Sequence, residues 1–108
     1  MSQAFHIKRG DTTPALLFDL TPESVVLTAA SAVFSMTSME GGAQVIARAP
    51  AVIAWPTDPP TLRYDWAPGD TATAGRYWAE FEVTYADGAI ESFPNNGHIA
   101  VVIVEDLG

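Results

Sequence analysis

Residues 75–88 read GRYWAEFEVTYADG, and this stretch decides the fold class. Apolar or aromatic side chains occupy every second position, at Tyr77, Ala79, Phe81, Val83 and Tyr85. Successive side chains of a strand point to opposite faces, so this alternation predicts a half-buried β-strand over residues 76–85. The row between is polar except for Trp78, which places a large aromatic side chain among the charged residues of the outward face.

The rest of the chain repeats this pattern in shorter segments separated by turn residues. Eight prolines and eight glycines punctuate the 108 residues, and no segment keeps a helical period. Short alternating runs at this spacing are typical of a β-sandwich. We predict about eight strands, at residues 5–8, 15–20, 32–37, 43–54, 62–66, 76–85, 89–93 and 98–105. Together they make one all-β antiparallel sandwich over residues 1–108, with residues 1–10 as a candidate extended N-terminal arm.

The composition excludes several classes of protein. Cysteine is absent, which rules out a disulfide scaffold, a thiol nucleophile and a cysteine-based zinc site. Thirteen acidic residues against five basic ones give a formal charge of −8 without a basic stripe, so we do not expect nucleic acid as a partner. No signal peptide and no apolar segment of membrane-spanning length is visible, so we expect a soluble protein made in the cytoplasm, without a membrane partner.

The turn after the alternating strand decides which residues accompany Trp78. Asp87-Gly88 fits a two-residue primed turn, which places Glu82 opposite Phe93 and brings Phe93 to the outward face. A three-residue loop would reverse this assignment. Three interpretations of Trp78 stay open, namely cover by a loop, for which residues 55–60 are the candidate, a single exposed apolar residue of the ordinary scattered kind, and an exposed docking anchor. The predicted docking patch comprises Trp78, Phe93, Arg76 and Trp55.

The titratable residues favour an ordinary surface over a catalytic or metal site. Glu80, Glu82 and Glu91 are predicted to share one sheet face, where a solvated charged surface is favoured over acid–base chemistry. His6 and His98 are the only histidines, and neither has further ligands at metal-binding spacing. Phosphate-loop, hydrolase-elbow and zinc-helix motifs are missing. We therefore predict no enzymatic activity, no catalytic residue, no metal site and no cofactor.

Two patterns in the sequence resemble known β-sandwich families. Gly75 and Tyr77 match the Gly-x-Tyr run of immunoglobulin-type domains, where the tyrosine makes a corner hydrogen bond, although Ala79 replaces the usual cysteine. The second pattern consists of 8–12 (KRGDT), 33–36 (VFSM), 62–66 (LRYDW), 70–71 (DT), 75–77 (GRY), 85–88 (YADG) and 93–94 (FP). In order and spacing these segments resemble the Ig-like N-terminal domain of upper baseplate proteins of tailed bacteriophages, over nearly the whole chain.

The resemblance implies an immunoglobulin-like sandwich without a disulfide, acting as a non-enzymatic virion component. In that family the domain usually heads a longer chain, whereas this sequence ends at Gly108, just after its last strand. We therefore expect a small module docked in many copies on the particle, either as a capsid decoration (cement) protein or as a tail or baseplate accessory. The expected partners are major capsid or tail and baseplate proteins, with a homo-oligomer as a further candidate.

An alternative function and a set of structural residues complete the expectations. Exposed aromatic side chains can also form a sugar platform, so the alternative is a carbohydrate-binding module that assists host adhesion. Gly75 and Tyr77 are assigned to the corner at the start of the long strand, and Asp87 and Gly88 to the turn at its end.

Overall fold

The predicted strands are present, and the all-β prediction is confirmed. The computed structural model describes residues 4–20, 27–54 and 60–107, and the regular structure in these ranges is β-strand throughout. The strands are β1 (Phe5–Lys8), β2 (Leu16–Asp19), β3 (Ser31–Ser38), β4 (Gln44–Ala54), β5 (Thr61–Tyr64), β6 (Gly75–Thr84), β7 (Ile90–Phe93) and β8 (Ile99–Val104). The alternating stretch at residues 75–84 forms β6, the central strand of the fold.

Hydrogen bonds join the strands in the order β1-β8-β6-β3-β4-β5-β2, and β7 pairs with β6. β6 has β3 along one edge; along the other it pairs with β8 through residues 75–79 and with β7 through residues 81–84. β4 is shared between two parts of the fold, because residues 44–51 pair with β3 and residues 52–54 pair with β5. It thereby connects the long sheet to the smaller unit of β5 and β2.

The N-terminal strand departs from two sequence expectations. β1 pairs with β8 in parallel, with Phe5 opposite Val101 and Ile7 opposite Ile103, so the sheet is mixed rather than purely antiparallel. Ile7 is buried and Phe5 stacks on Trp66, which anchors residues 5–8 in the core of their own chain. This part of residues 1–10 is therefore an integral strand and not a projecting arm, because two inward apolar side chains are stabilised by burial. Residues 1–3 lie outside the described ranges.

Aromatic side chains pack the β5–β2 unit against the long sheet. Phe34 of β3 stacks on Tyr64 of β5 with ring centroids 4.3 Å apart, and Phe18 of β2 lies 6.4 Å from Phe81 of β6. The inward rows of both layers supply the core, and Phe34 and Phe81 are completely buried. Burial of one such ring contributes about 1.5–3 kcal/mol, so these contacts hold the two layers face to face.

β4 runs continuously through Pro50, although proline has no N–H to donate to a neighbouring strand. Pro50 lies opposite Val33 of β3, and the pairing with β5 begins only at residue 52, so the strand is locally an edge at this point. The register also shifts here. Ile46 pairs with Met36 and Ala49 pairs with Phe34, so an advance of three residues along β4 corresponds to two residues along β3. Arg48 occupies this bulge with a φ of 52°, and its N–H donates a 3.0 Å hydrogen bond to the Ser35 hydroxyl.

Candidate docking surface

Trp78 lies in the middle of the outward face of the long sheet. Its neighbours in register are Ala100 on β8 and Thr37 on β3, and both side chains are small. Small neighbours cannot cover an indole ring, and 43% of Trp78 remains exposed. Of the three interpretations left open by the sequence, the two in which Trp78 is exposed agree with the described residues. The loop proposed as a cover includes residues 55–59, which lie outside the described ranges.

Phe93 does not accompany Trp78, and its assignment to the docking patch is wrong. The observed register places Phe93 opposite Phe81 and Glu82 opposite Ser92. Phe93 therefore points into the core, is 8% exposed and packs 6.2 Å from Phe18. The physical reason is the length of the hairpin loop, since one additional loop residue shifts the register and moves every following side chain to the opposite face.

The hairpin itself uses three loop residues instead of two. The Tyr85 N–H donates a 2.8 Å hydrogen bond to the Ala89 carbonyl, and the Gly88 N–H donates one of the same length to the Tyr85 carbonyl. The Asp87 carboxylate accepts from the Ala89 N–H at 2.9 Å, while Gly88 has a φ of 90°, a left-handed conformation that suits glycine. Asp87 and Gly88 thus have the turn roles expected of them, within a loop that is one residue longer.

The corner expected at the start of β6 is present. The Tyr77 hydroxyl donates a 2.6 Å hydrogen bond to the Thr73 carbonyl, and Gly75 between them has a φ of 153°. A side chain at this φ would be strained, so glycine suits the position. The corner determines where β6 begins, and the two-residue period then directs Trp78 outward.

The other two members of the predicted patch have different outcomes. Arg76 is exposed and lies two residues before Trp78 on the same face of β6, opposite Val102 of β8. Trp55 lies outside the described residues. Of the predicted docking patch, the structure therefore brings Trp78 and Arg76 together and separates Phe93 from them.

A groove of about 420 Å³ lies along one side of Trp78. Polar side chains surround the indole there, and the groove is lined by Ser35, Thr37, Gln44, Arg48, Trp78, Ala79, Glu80 and His98. The His98 ring lies 5.8 Å from the indole. Thr37 and Gln44 line this groove but are not in the predicted docking patch. The alternation along β3 could have indicated that Thr37 faces outward. The position of Gln44 could not be found in this way, because it depends on the pairing between β3 and β4.

One ion pair and one longer histidine–carboxylate contact lie on this face. An Arg48 guanidinium nitrogen lies 2.5 Å from Oε1 of Glu82, and Nε2 of His98 lies 4.0 Å from Oε1 of Glu80. Glu80 and Glu82 share the outward face as predicted, but Glu91 does not, because the hairpin register places it opposite the inward-facing Val83. Exposed pairs of this kind contribute little, about 0–1 kcal/mol each.

The resolved pKa shifts belong to tyrosines in structural contacts. Burial, reinforced by a hydrogen bond to Asp70, raises the pKa of Tyr64. Burial also raises the pKa of Tyr77. For Tyr85, burial and the 2.7 Å hydrogen bond that it donates to Glu91 raise the pKa to about 12. Each shift favours the neutral hydroxyl as a hydrogen-bond donor.

Metal-binding groups and membrane-crossing helices were searched for in the described ranges. Residues 4–20, 27–54 and 60–107 hold no group of three or more histidine or carboxylate side chains arranged for a metal ion. His6 and His98 lie on the outward side of the long sheet at separate positions, with His6 opposite Val102. The same part of the chain has no helix with the length and apolarity needed to cross a bilayer.

Comparison of the chain with protein-family models, with curated proteins and with solved structures finds no match. The functional argument therefore depends on the surface around Trp78 and on the resemblance described in the sequence analysis.

Proposed function

We propose that this protein is a non-enzymatic structural component of a tailed-bacteriophage virion, with an immunoglobulin-like fold. It docks in many copies on the particle surface, as a capsid decoration protein or as a tail or baseplate accessory. The partners are the major capsid protein or tail and baseplate proteins. The observation that carries the proposal is the exposed Trp78 at the centre of the outward face of the long sheet.

The surroundings of Trp78 have the composition of a docking site. Tryptophan and arginine are enriched among the residues that dominate binding energy at protein interfaces. Trp78 and Arg76 lie on one face, and the small side chains Ala100 and Thr37 leave the indole accessible to a partner. Many weak contacts of this kind on a symmetric shell give stable attachment through multivalency.

The tyrosine environment supports a structural role rather than a catalytic one. The hydroxyls of Tyr64, Tyr77 and Tyr85 have pKa values raised above the ordinary value of 10.0, away from neutrality. A general acid or base works best with a pKa near the working pH. These hydroxyls instead donate hydrogen bonds that hold corners and turns, as Tyr77 does to Thr73.

The test is re-attachment of the purified protein to particles grown without it. Trp78→Ala is expected to reduce the number of copies bound, measured by electron microscopy and quantitative gel analysis. Val52→Ala is the matched control, because Val52 is an exposed apolar side chain, 39% accessible, in the part of β4 that pairs with β5. Full occupancy with Trp78→Ala, or equal losses with both variants, would contradict docking through this face.

One observation favours a second candidate function, a carbohydrate-binding module. The groove beside Trp78 combines an aromatic ring with hydroxyl, amide and carboxylate groups, a set that can stack on a sugar and bind its hydroxyls. Among the described residues, the side chains of Thr37 and Gln44 make no side-chain hydrogen bond that would occupy them. Titration with neutral oligosaccharides, followed by tryptophan fluorescence, separates the two functions. If the protein only docks on the particle, we expect no saturable change in fluorescence. If it binds sugars, we expect a saturable change that Gln44→Ala weakens.

A further inference from the structure

Basic residues are concentrated on one face of a strongly acidic protein. The outward rows of the long sheet, on β1, β3, β4, β6, β7 and β8, carry the basic residues Lys8, Arg48 and Arg76 and the acidic residues Glu80 and Glu82. Three basic against two acidic side chains give this face a formal charge of +1. The whole chain has a formal charge of −8, so the other two basic and eleven acidic residues contribute −9.

The exposed carboxylate of Asp11 lines a groove with Lys8 and Val104 at the β1 end of this face. Beside it, five residues of the face combine two cations and three apolar side chains in one surface. We call it the outer patch, and it consists of Lys8, Arg76, Trp78, Val102 and Val104. Arg76 lies opposite Val102, which also faces His6 of β1, and Lys8 lies opposite Val104. The five residues thus span three consecutive strands, with Arg76 next to Trp78 on its face and Lys8 at the far end. Val104 is 38% exposed, in addition to the exposed indole.

The two cations of the outer patch are free to meet a partner. Neither Lys8 nor Arg76 makes an ion pair with a carboxylate in the described ranges, whereas Arg48 is paired with Glu82 and Arg9 with Glu105. Glu80, the carboxylate closest to Trp78 along β6, is next to His98. The outer patch therefore offers unpaired positive charge around an apolar centre.

We propose that the outer patch docks on an acidic surface of a partner protein in the particle, with carboxylates of that surface bound by Arg76, beside Trp78, and by Lys8 on β1. This inference rests on the proposed virion function and adds the chemistry of the partner. An arginine can bind a carboxylate through two parallel hydrogen bonds, which fixes orientation as well as position. The charge of −9 on the rest of the protein repels an acidic partner, so electrostatics select the face that docks.

The composition of the outer patch favours a protein partner over a nucleic acid. Nucleic acid binding neutralises several phosphates with a track of basic residues, and the patch offers two cations beside three apolar side chains. Apolar area around an arginine is the usual composition at the centre of a protein interface.

The first test compares two charge reversals in the full-length protein. Arg76→Glu changes the outer patch, and Arg63→Glu is the matched control, because Arg63 lies on β5 of the other layer, next to Asp65. Both variants change the net charge by the same amount, and thermal unfolding checks that both remain folded. We expect Arg76→Glu to weaken re-attachment to protein-free particles by about tenfold or more, while Arg63→Glu stays near wild type.

A second arm uses probes that do not depend on the particle. Immobilised poly-L-glutamate and duplex DNA are each exposed to wild type and Arg76→Glu at about 0.1 M salt, where the Debye length of about 10 Å confines the field to the patch. We expect the wild-type protein to bind poly-L-glutamate, and Arg76→Glu to remove this binding. We expect the wild-type protein to bind DNA more weakly than poly-L-glutamate.

The outcomes separate this inference from the proposed function. If the wild-type protein attaches to particles and the two charge reversals have equal effects, the inference about the acidic partner is overturned. The proposed virion function then remains intact. Wild type that fails to attach contradicts the virion function, and the poly-L-glutamate arm then decides the inference alone. Preference for DNA over poly-L-glutamate, abolished by Arg76→Glu, would show that the patch takes phosphate and would overturn an acidic protein partner.

Discussion

Alanine substitutions at Trp78 and Phe93 provide a direct test of the two sheet faces. Both are large aromatic side chains that a two-residue hairpin would place on the same outward face. In the structure they lie on opposite faces, with Trp78 43% exposed and Phe93 8% exposed. We expect Phe93→Ala to destabilise the fold strongly and Trp78→Ala to leave it nearly as stable as wild type.

The magnitudes follow from the surroundings of each ring. Phe93 packs on Phe18 in the core but ends the short strand β7, so its truncation should cost about 3 kcal/mol, the lower end for a buried phenylalanine. Trp78 rests on the small neighbours Ala100 and Thr37, so its truncation should cost about 1 kcal/mol. At about 4–8 °C per kcal/mol, the expected decreases in Tm are about 12–24 °C and about 4–8 °C.

The assay is thermal and urea unfolding of both variants beside wild type, monitored by far-ultraviolet circular dichroism. The free energy of unfolding is compared at a common temperature, and equal m-values check that the denatured states are comparable. Equal losses for the two variants, or a larger loss for Trp78→Ala, would refute the assignment of faces and, with it, docking through Trp78.

Three further predictions concern hydrogen bonds, pH and ion pairs. Tyr77→Phe removes the corner bond to Thr73 and keeps the ring, so the free energy of unfolding should fall by about 1 kcal/mol in urea titrations; no change would mean that the bond adds nothing. Tyr85 has a folded pKa of about 12, above its unfolded value of 10.0, so its stabilisation is complete below pH 10 and is lost as the pH rises towards 12. Alkaline unfolding should show this loss, and Tyr85→Phe should reduce it; an identical pH profile for this variant would contradict the assignment. Arg48→Ala breaks an exposed ion pair and should change stability by less than about 1 kcal/mol; a larger loss would indicate that the bulge needs the arginine.

The strand pattern was predictable because it is local. Alternation at residues 76–85 requires only the two-residue period of a strand, and the structure has β6 at Gly75–Thr84. The corner at Gly75 and Tyr77 was also recognisable, since its hydrogen bond joins residues four apart in sequence, Tyr77 and Thr73. Both features depend on near neighbours, which is the information that a single sequence carries.

The partners of Trp78 depended on one loop residue. Counting Asp87-Gly88 as a two-residue turn placed Phe93 outward, while the observed three-residue loop places it inward. The observed register buries Phe93 beside Phe18 and leaves Ile90 62% exposed, so the larger of these two apolar side chains of β7 lies in the core. Tertiary packing therefore selected the loop length, and local turn preference did not reveal it.

By itself, the sequence determined the eight strands, the lack of a disulfide, the net charge of −8 and the outward direction of Trp78 along β6. Tertiary structure alone decided the parallel pairing of β1 with β8, and with it the placement of Lys8 and Arg76 on one face of the long sheet. These features join residues that are about seventy to one hundred positions apart in the chain. Such pairings are selected by the free energy of the whole core, which no local pattern contains.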